Sequence, residues 1–151
     1  MSHLSWLSRL HAVTNRIKQV LTGLLALTGI DAGIWATAWP RQFYDSFPGM
    51  GRHWVSAMGP YSEHLVRDVG GLYLAMTVIS VWAIARPRVE TFAMVGLGWL
   101  AFNIPHFIYH VRMLDMLPKT IDKIGNVVSL GAVLLCAALL LVPSRHPHSQ
   151  S

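Results

Sequence analysis

"HLVRDVGGLYLAMTVISVWAIA", His64 to Ala85, is the stretch whose reading decides the fold. From Val69 onward it carries no charged residue, and its 22 residues match the roughly 20 that an α-helix needs to cross a hydrocarbon layer about 30 Å thick. Its polar residues, His64, Arg67 and Asp68, gather at one end.

Three more stretches share this character: Gln19 to Trp39, Thr91 to Val111 and Ile121 to Val142. They are apolar nearly all round, so length and flanking charge identify them rather than a 3.6-residue period. Apolar residues make up 53% of the 151-residue chain and charged residues 13%, against about 25% in ordinary soluble domains. Mean hydropathy is +0.43. Too few charges exist to cover a water-facing surface of this size. The expected fold is therefore all-α: a four-transmembrane-helix bundle over residues 19–143, with spans at 19–39, 64–85, 91–111 and 121–142. A short interfacial amphipathic helix is expected within residues 1–18, where Leu4, Leu7 and Leu10 recur beside Arg9 and Arg16. Residues 144–151, polar and proline-broken, read as a disordered tail. The apolar run after Gln19 is interrupted by Asp31 and is too long for the core of a signal peptide, so it reads as a retained span.

The net charge of +5 does not point to nucleic acid. The cations flank the apolar runs, as juxtamembrane lysines and arginines do, and no basic stripe with interleaved aromatics is left over. Four spans put both termini on one face. Arg9, Arg16, Lys18, Arg86, Arg88 and Arg145 then oppose Arg41, Arg52, Arg67, Arg112, Lys119 and Lys123. The count is balanced. The very short loop holding Arg86 and Arg88, and the cations before the first span, favour cytoplasmic termini. The single cysteine, Cys136, lies in the last span and has no partner for an intrachain disulfide.

The loop at 40–61 is the longest connection and is rich in aromatics: Phe43, Tyr44, Phe47, Trp54 and Tyr61. It is expected to fold over one end of the bundle at headgroup level.

The informative residues are the polar ones that a bilayer disfavours. An Asp at a helix centre costs roughly 2.5–3.5 kcal/mol on insertion scales, so such groups face the bundle interior and pair. Asp31 lies in span one, His64 and Asp68 in span two, Asn103, His106 and His110 in span three, and Asn126 and Ser129 in span four, with Asp122 at its edge. At a rise of about 1.5 Å per residue, His64 and His110 both lie about 3 Å from one membrane face, and Asp68 and His106 about 9 Å. Every helix sends a polar group to the same half of the membrane, and the other half offers no polar path for conduction by a single copy. His64, Asp68, Gly71 and Ala75 form one stripe, and the small pairs Gly71/Ala75 and Gly29/Gly33 predict close helix–helix packing on those faces. Glu63 and Arg67, offset from that stripe, read as a mutual i, i+4 pair. Pro105, just before His106, frees the carbonyl of Ala101 and predicts a kink lining a cavity.

Two histidines four residues apart present both imidazoles to one point, as in zinc-binding helices. A facing His64-x-x-x-Asp68 would raise the ligand set to three or four, suited to zinc, iron or copper. Asp31, Asn103, Asn126 and Tyr61 would line the pocket or support the ligands. No H-E-x-x-H is present, and "HFIYH" holds no acid to act as a general base. Haem on a facing histidine pair, or a small lipophilic ligand, is an alternative occupant. The competing reading is a non-catalytic structural or accessory subunit of a membrane assembly, or of a homo-oligomer, whose His/Asp cluster is a buried hydrogen-bond network with no cofactor. Whether the chain is an enzyme is open at this level. His3, His11, His146 and His148 lie in the tails and read as solvated, and His53 lies in the long loop.

The segments "GPYSEHLVRDVGGLYLA" and "NIPHFIYHVRMLD" resemble parts of small, uncharacterised four-helix bacterial membrane proteins of the DoxX-like group, over roughly residues 39 to 142. The marks are Glu63-His64, Arg67-Asp68 and the span-three pair His106 and His110. The resemblance implies four helices in a bacterial plasma membrane and brings no settled activity.

Overall fold

The computed structural model describes residues 3–143, with side chains from Asn15 onward. It is all-helical: α1 (His3–Ala38), α2 (Pro40–Ser46), α3 (Glu63–Ala85), α4 (Val89–Arg112) and α5 (Thr120–Leu140), with one 3-10 turn at Leu114–Met116. Four segments are long and apolar enough to cross a membrane: Asn15–Ala38, Glu63–Ala85, Val89–Arg112 and Thr120–Leu140. The interfacial helix expected ahead of span one is not a separate element, because α1 runs unbroken from His3 to Ala38. No proline or glycine interrupts the sequence between Leu4 and Leu21, so nothing there ends the helix. The side chains of Leu4, Leu7 and Leu10, and the tail at 144–151, lie outside the described residues.

Helix ends follow local chemistry. Trp39 precedes a proline, which pushes it out of the helical region, so α1 stops at Ala38 and α2 restarts with Pro40 at its first turn. Ser62 caps α3, its hydroxyl facing the amide of Leu65. Thr91 Oγ1 accepts from Arg88 N–H at 3.1 Å and donates to the Arg86 carbonyl at 3.0 Å, holding the tight α3–α4 turn. Pro105 leaves α4 continuous.

The bundle is built from two close pairs, α1 with α3 and α4 with α5. Glycine sets the first. A Cβ on Gly29 would fall 2.2 Å from Thr77 Oγ1 and 3.1 Å from the Tyr73 carbonyl. On Gly33 it would fall 2.9 Å from Leu74 Cγ, and on Gly70 2.9 Å from the Thr37 amide nitrogen. Ala32 and Ala36 complete this buried seam. In the second pair, Gly96 admits the backbone of Ala137, whose carbonyl would lie 2.7 Å from an added Cβ. Trp99 and Tyr73 join the pairs at the centre, and Trp99 Nε1 donates to Ser80 Oγ at 3.0 Å.

The face of α3 differs from the expected one. The buried stripe is Val66, Gly70, Tyr73, Met76, Thr77, Ser80 and Ala83, whereas Gly71 and Ala75 point outward with open space around Gly71. The physical reason is the competition between faces. Turning Gly70 and Tyr73 inward lets α3 approach α1 closely at Gly29 and Thr37, while His64 and Asp68 satisfy each other in the first two turns.

At the end opposite the long loop, Lys18 is only 3% exposed, and its ammonium donates to the Val142 carbonyl at 2.8 Å. A cation there satisfies a carbonyl just past the C-terminus of α5. Its stem packs inside rather than flanking the bundle.

The glycine seam yields a paired test. Gly29→Ala is expected to destabilise the detergent-solubilised protein by about 1–3 kcal/mol through overpacking, read by thermal unfolding. Gly71→Ala, made in open space, should leave the transition unchanged or raise it slightly.

Candidate functional site: a roofed cavity between the helix pairs

Between the two pairs, at the end where α2 and the following loop lie, is a cavity of about 440 Å³. Its walls come from all four spans and its roof from residues 43–62.

The roof is tied down at named points. Trp54 Nε1 donates to Asp122 Oδ1 at 3.1 Å, and Arg52 pairs with the same carboxylate oxygen. Gly125 leaves room for the Trp54 ring, since a Cβ there would lie 3.0 Å from it. Tyr109 donates its hydroxyl to the Met58 carbonyl at 3.1 Å, and Tyr44 donates to the Gly59 carbonyl at 2.7 Å. Trp54, Met58 and Leu117 form a small core beneath this strap, and Phe43 and Phe47 pack at 4.7 Å against each other under Trp35.

The polar wall is α4 against α5. His110 Nδ1 lies 3.1 Å from Asn126 Nδ2 and 3.2 Å from Asn126 Oδ1, so the pairing holds with either imidazole tautomer. The His106 and His110 ring centroids are 4.4 Å apart, and His106 stacks on Phe102 at 5.2 Å. Ser129 donates to the Asn126 carbonyl at 3.1 Å. His106, His110, Asn126 and Ser129 all line the cavity, and Thr28 and Asp31 of α1 line it too. The remaining walls are mainly Val, Leu, Phe and Tyr.

The expected ligand set divides. His106, His110 and Asn126, half-buried or buried, line one cavity, and Asp31 lines it too while remaining exposed. His64 and Asp68 do not: they form an outward pair 3.2 Å apart on α3, with side chains 83% and 60% exposed. Among the described residues, no group of three or more His, Cys, Asp or Glu is placed to hold a metal ion. Matching depth along two helices does not make two groups meet when their azimuths differ, and here the stripe through Val66 and Tyr73 faces inward instead. Tyr61 lies outside the cavity. It packs on Tyr44 at 5.2 Å, under the Arg41 guanidinium at 4.9 Å, in a surface groove with Glu63 and Arg67. Asp45 beside it raises the Arg41 guanidinium above its ordinary value. The Glu63–Arg67 pair forms at 2.8 Å.

Asn103 sits deeper in the core at 1% exposure. It donates Nδ2 to the Trp99 carbonyl at 2.9 Å, and its Oδ1 is buried without a partner among the described residues. Pro105 faces outward on α4 and does not line the cavity.

Sequence reasoning missed Asp122 as the anchor of the roof, and missed Trp54 and Tyr109 as the groups that reach between roof and spans. The available signals were an acid at the start of span four and aromatics at the ends of segments. Their pairing across 68 and 51 residues had no local signature.

No protein-family model, curated protein or solved structure matches this chain.

Asp122→Ala removes the acceptor for both Trp54 and Arg52. Amide hydrogen exchange over residues 47–60 is expected to speed up, on the order of tenfold, while protection in the helix centres stays unchanged. Exchange that stays slow across the loop would mean that the aromatic packing alone holds the roof.

Proposed function

We propose that this small integral membrane protein binds a small amphiphilic molecule in the roofed cavity, and that His106, His110 and Asn126 orient its polar end. One observation carries the reading. A pair of adjacent imidazoles, one braced by a buried amide, faces a largely apolar space of about 440 Å³. Ligand sites of this volume, apolar with a few convergent polar groups, suit molecules of drug-like size. Imidazole and amide provide both donors and acceptors, so they fit a hydrogen-bonding headgroup, and the aromatic and aliphatic walls fit its tail.

The arrangement supports an organic ligand better than a metal. Asn126 occupies one nitrogen of His110, and the His64–Asp68 pair expected to complete a coordination shell lies on the outer face of α3. A bacterial plasma membrane, cytoplasmic termini and kinship with the DoxX-like group belong to the same proposal and are supported by the sequence motifs alone. The competing reading, a purely structural cluster, draws on the His110–Asn126 bond but leaves the adjacent cavity and the free face of His106 without a role.

The test compares small molecules extracted from purified wild-type protein and from Val133→Trp, which fills the cavity from α5. Mass spectrometry is expected to find an amphiphile at near-stoichiometric amount in wild type and lost from the filled variant. Identical extracts from two equally folded proteins would contradict ligand binding.

A further inference from the structure

Asp31 stands in the last third of α1, seven residues before the helix ends at Ala38, or about 10 Å along the axis. An acid at that depth is disfavoured unless it finds a partner, and intramembrane acids normally face a cavity or a counter-charge. Asp31 is exposed along α1 and is at the same time one of the residues that line the cavity. None of the ion pairs among the described residues engages it. Its neighbour Thr28, one turn away on the same wall, directs its hydroxyl to the Leu24 carbonyl at 3.0 Å. On α4, the His110 imidazole is held by Asn126.

The other lining residues sharpen the asymmetry. Asp31 is the one Asp or Glu among the described residues that line the cavity, and no lysine or arginine lines it. Arg52, the nearest cation of the roof segment by sequence, is committed to Asp122 outside the lining. Aromatic faces are plentiful: Phe43, Phe47, Trp54 and Tyr73 surround the space. Aromatic walls attract a cation through their ring quadrupoles, most strongly where water is excluded. A lone carboxyl group, aromatic walls and no basic residue together fit one ligand chemistry.

We infer that the cavity selects an amphiphilic amine, an ammonium headgroup on an apolar tail, with Asp31 as its counter-charge. This rests on the ligand-binding reading above and adds the charge of the ligand to it. The ammonium sits between the Asp31 carboxylate and the aromatic faces under the roof. The His106 and His110 imidazoles accept or donate further hydrogen bonds at the α4 wall. The tail runs along Val66, Val69, Leu130 and Val133.

The probes are phenylhexylamine and phenylhexanol, which share a tail and differ in headgroup charge at neutral pH. Binding is measured by quenching of tryptophan fluorescence for the full chain in nanodiscs of zwitterionic lipid, with empty nanodiscs as background. Wild type is expected to bind the amine about tenfold more tightly than the alcohol, as a charge-assisted hydrogen bond to an ammonium gives once the bound ligand covers the carboxylate. Asp31→Asn, nearly isosteric, is expected to erase that preference while still binding the alcohol. Circular dichroism and size-exclusion chromatography establish that the variant folds. Equal affinity of wild type for both probes, or a preference that survives Asp31→Asn, would overturn the amine assignment and leave the ligand cavity standing. Saturable binding of neither probe would overturn both.

Discussion

The close approach of α1 and α3 is the contact on which the rest of the arrangement depends. Gly29 and Gly33 bring the two backbones together from one side and Gly70 from the other, with Thr77, Leu74 and Thr37 filling the space that side chains would otherwise take. In a bilayer no hydrophobic force drives helices together, so van der Waals contact at such small-residue seams carries the association. Once α3 is docked, its azimuth is set. Tyr73 and Thr77 must face inward, and His64 and Asp68 must face out.

That azimuth determines what the bundle can hold. With the α3 histidine and acid turned away, the polar groups inside come from α1, α4 and α5. The second pair, α4 with α5, is held at the far end by Gly96 against Ala137 and toward the long loop by the His110–Asn126 hydrogen bond. Lys18 ties α1 to the end of α5 on the far side. The loop end is covered by α2 and a strap anchored on Asp122, Tyr109 and Tyr44. The cavity lies between two tight pairs, under a roof of aromatics.

Much of this was legible in the amino-acid sequence. The four spans followed from uninterrupted apolar length, and the Gly29/Gly33 seam from small residues four apart. The polar residues concentrated in one membrane half include His106, His110 and Asn126, which line the cavity. What was not legible was rotation about each helix axis. A helix that is apolar nearly all round gives no moment to orient it, so the stripe through His64 and Asp68 looked as plausible a packing face as the one through Val66 and Tyr73. An i, i+4 pair near the helix start has another option, satisfying itself at the outer face. The roof contacts were hidden for a different reason: the partners of Asp122 and Tyr109 lie more than fifty residues away, and no local pattern announces them.

The central claim is that the working surface is the α1–α4–α5 cavity and not the paired residues on α3. Solid-state NMR of the histidine-labelled protein in lipid bilayers tests it most directly, with phenylhexylamine added at saturating level. The imidazole resonances of His106 and His110 are expected to shift together, with that of His64 unchanged. A shift confined to His64, or equal shifts at all three, would contradict the placement of the site.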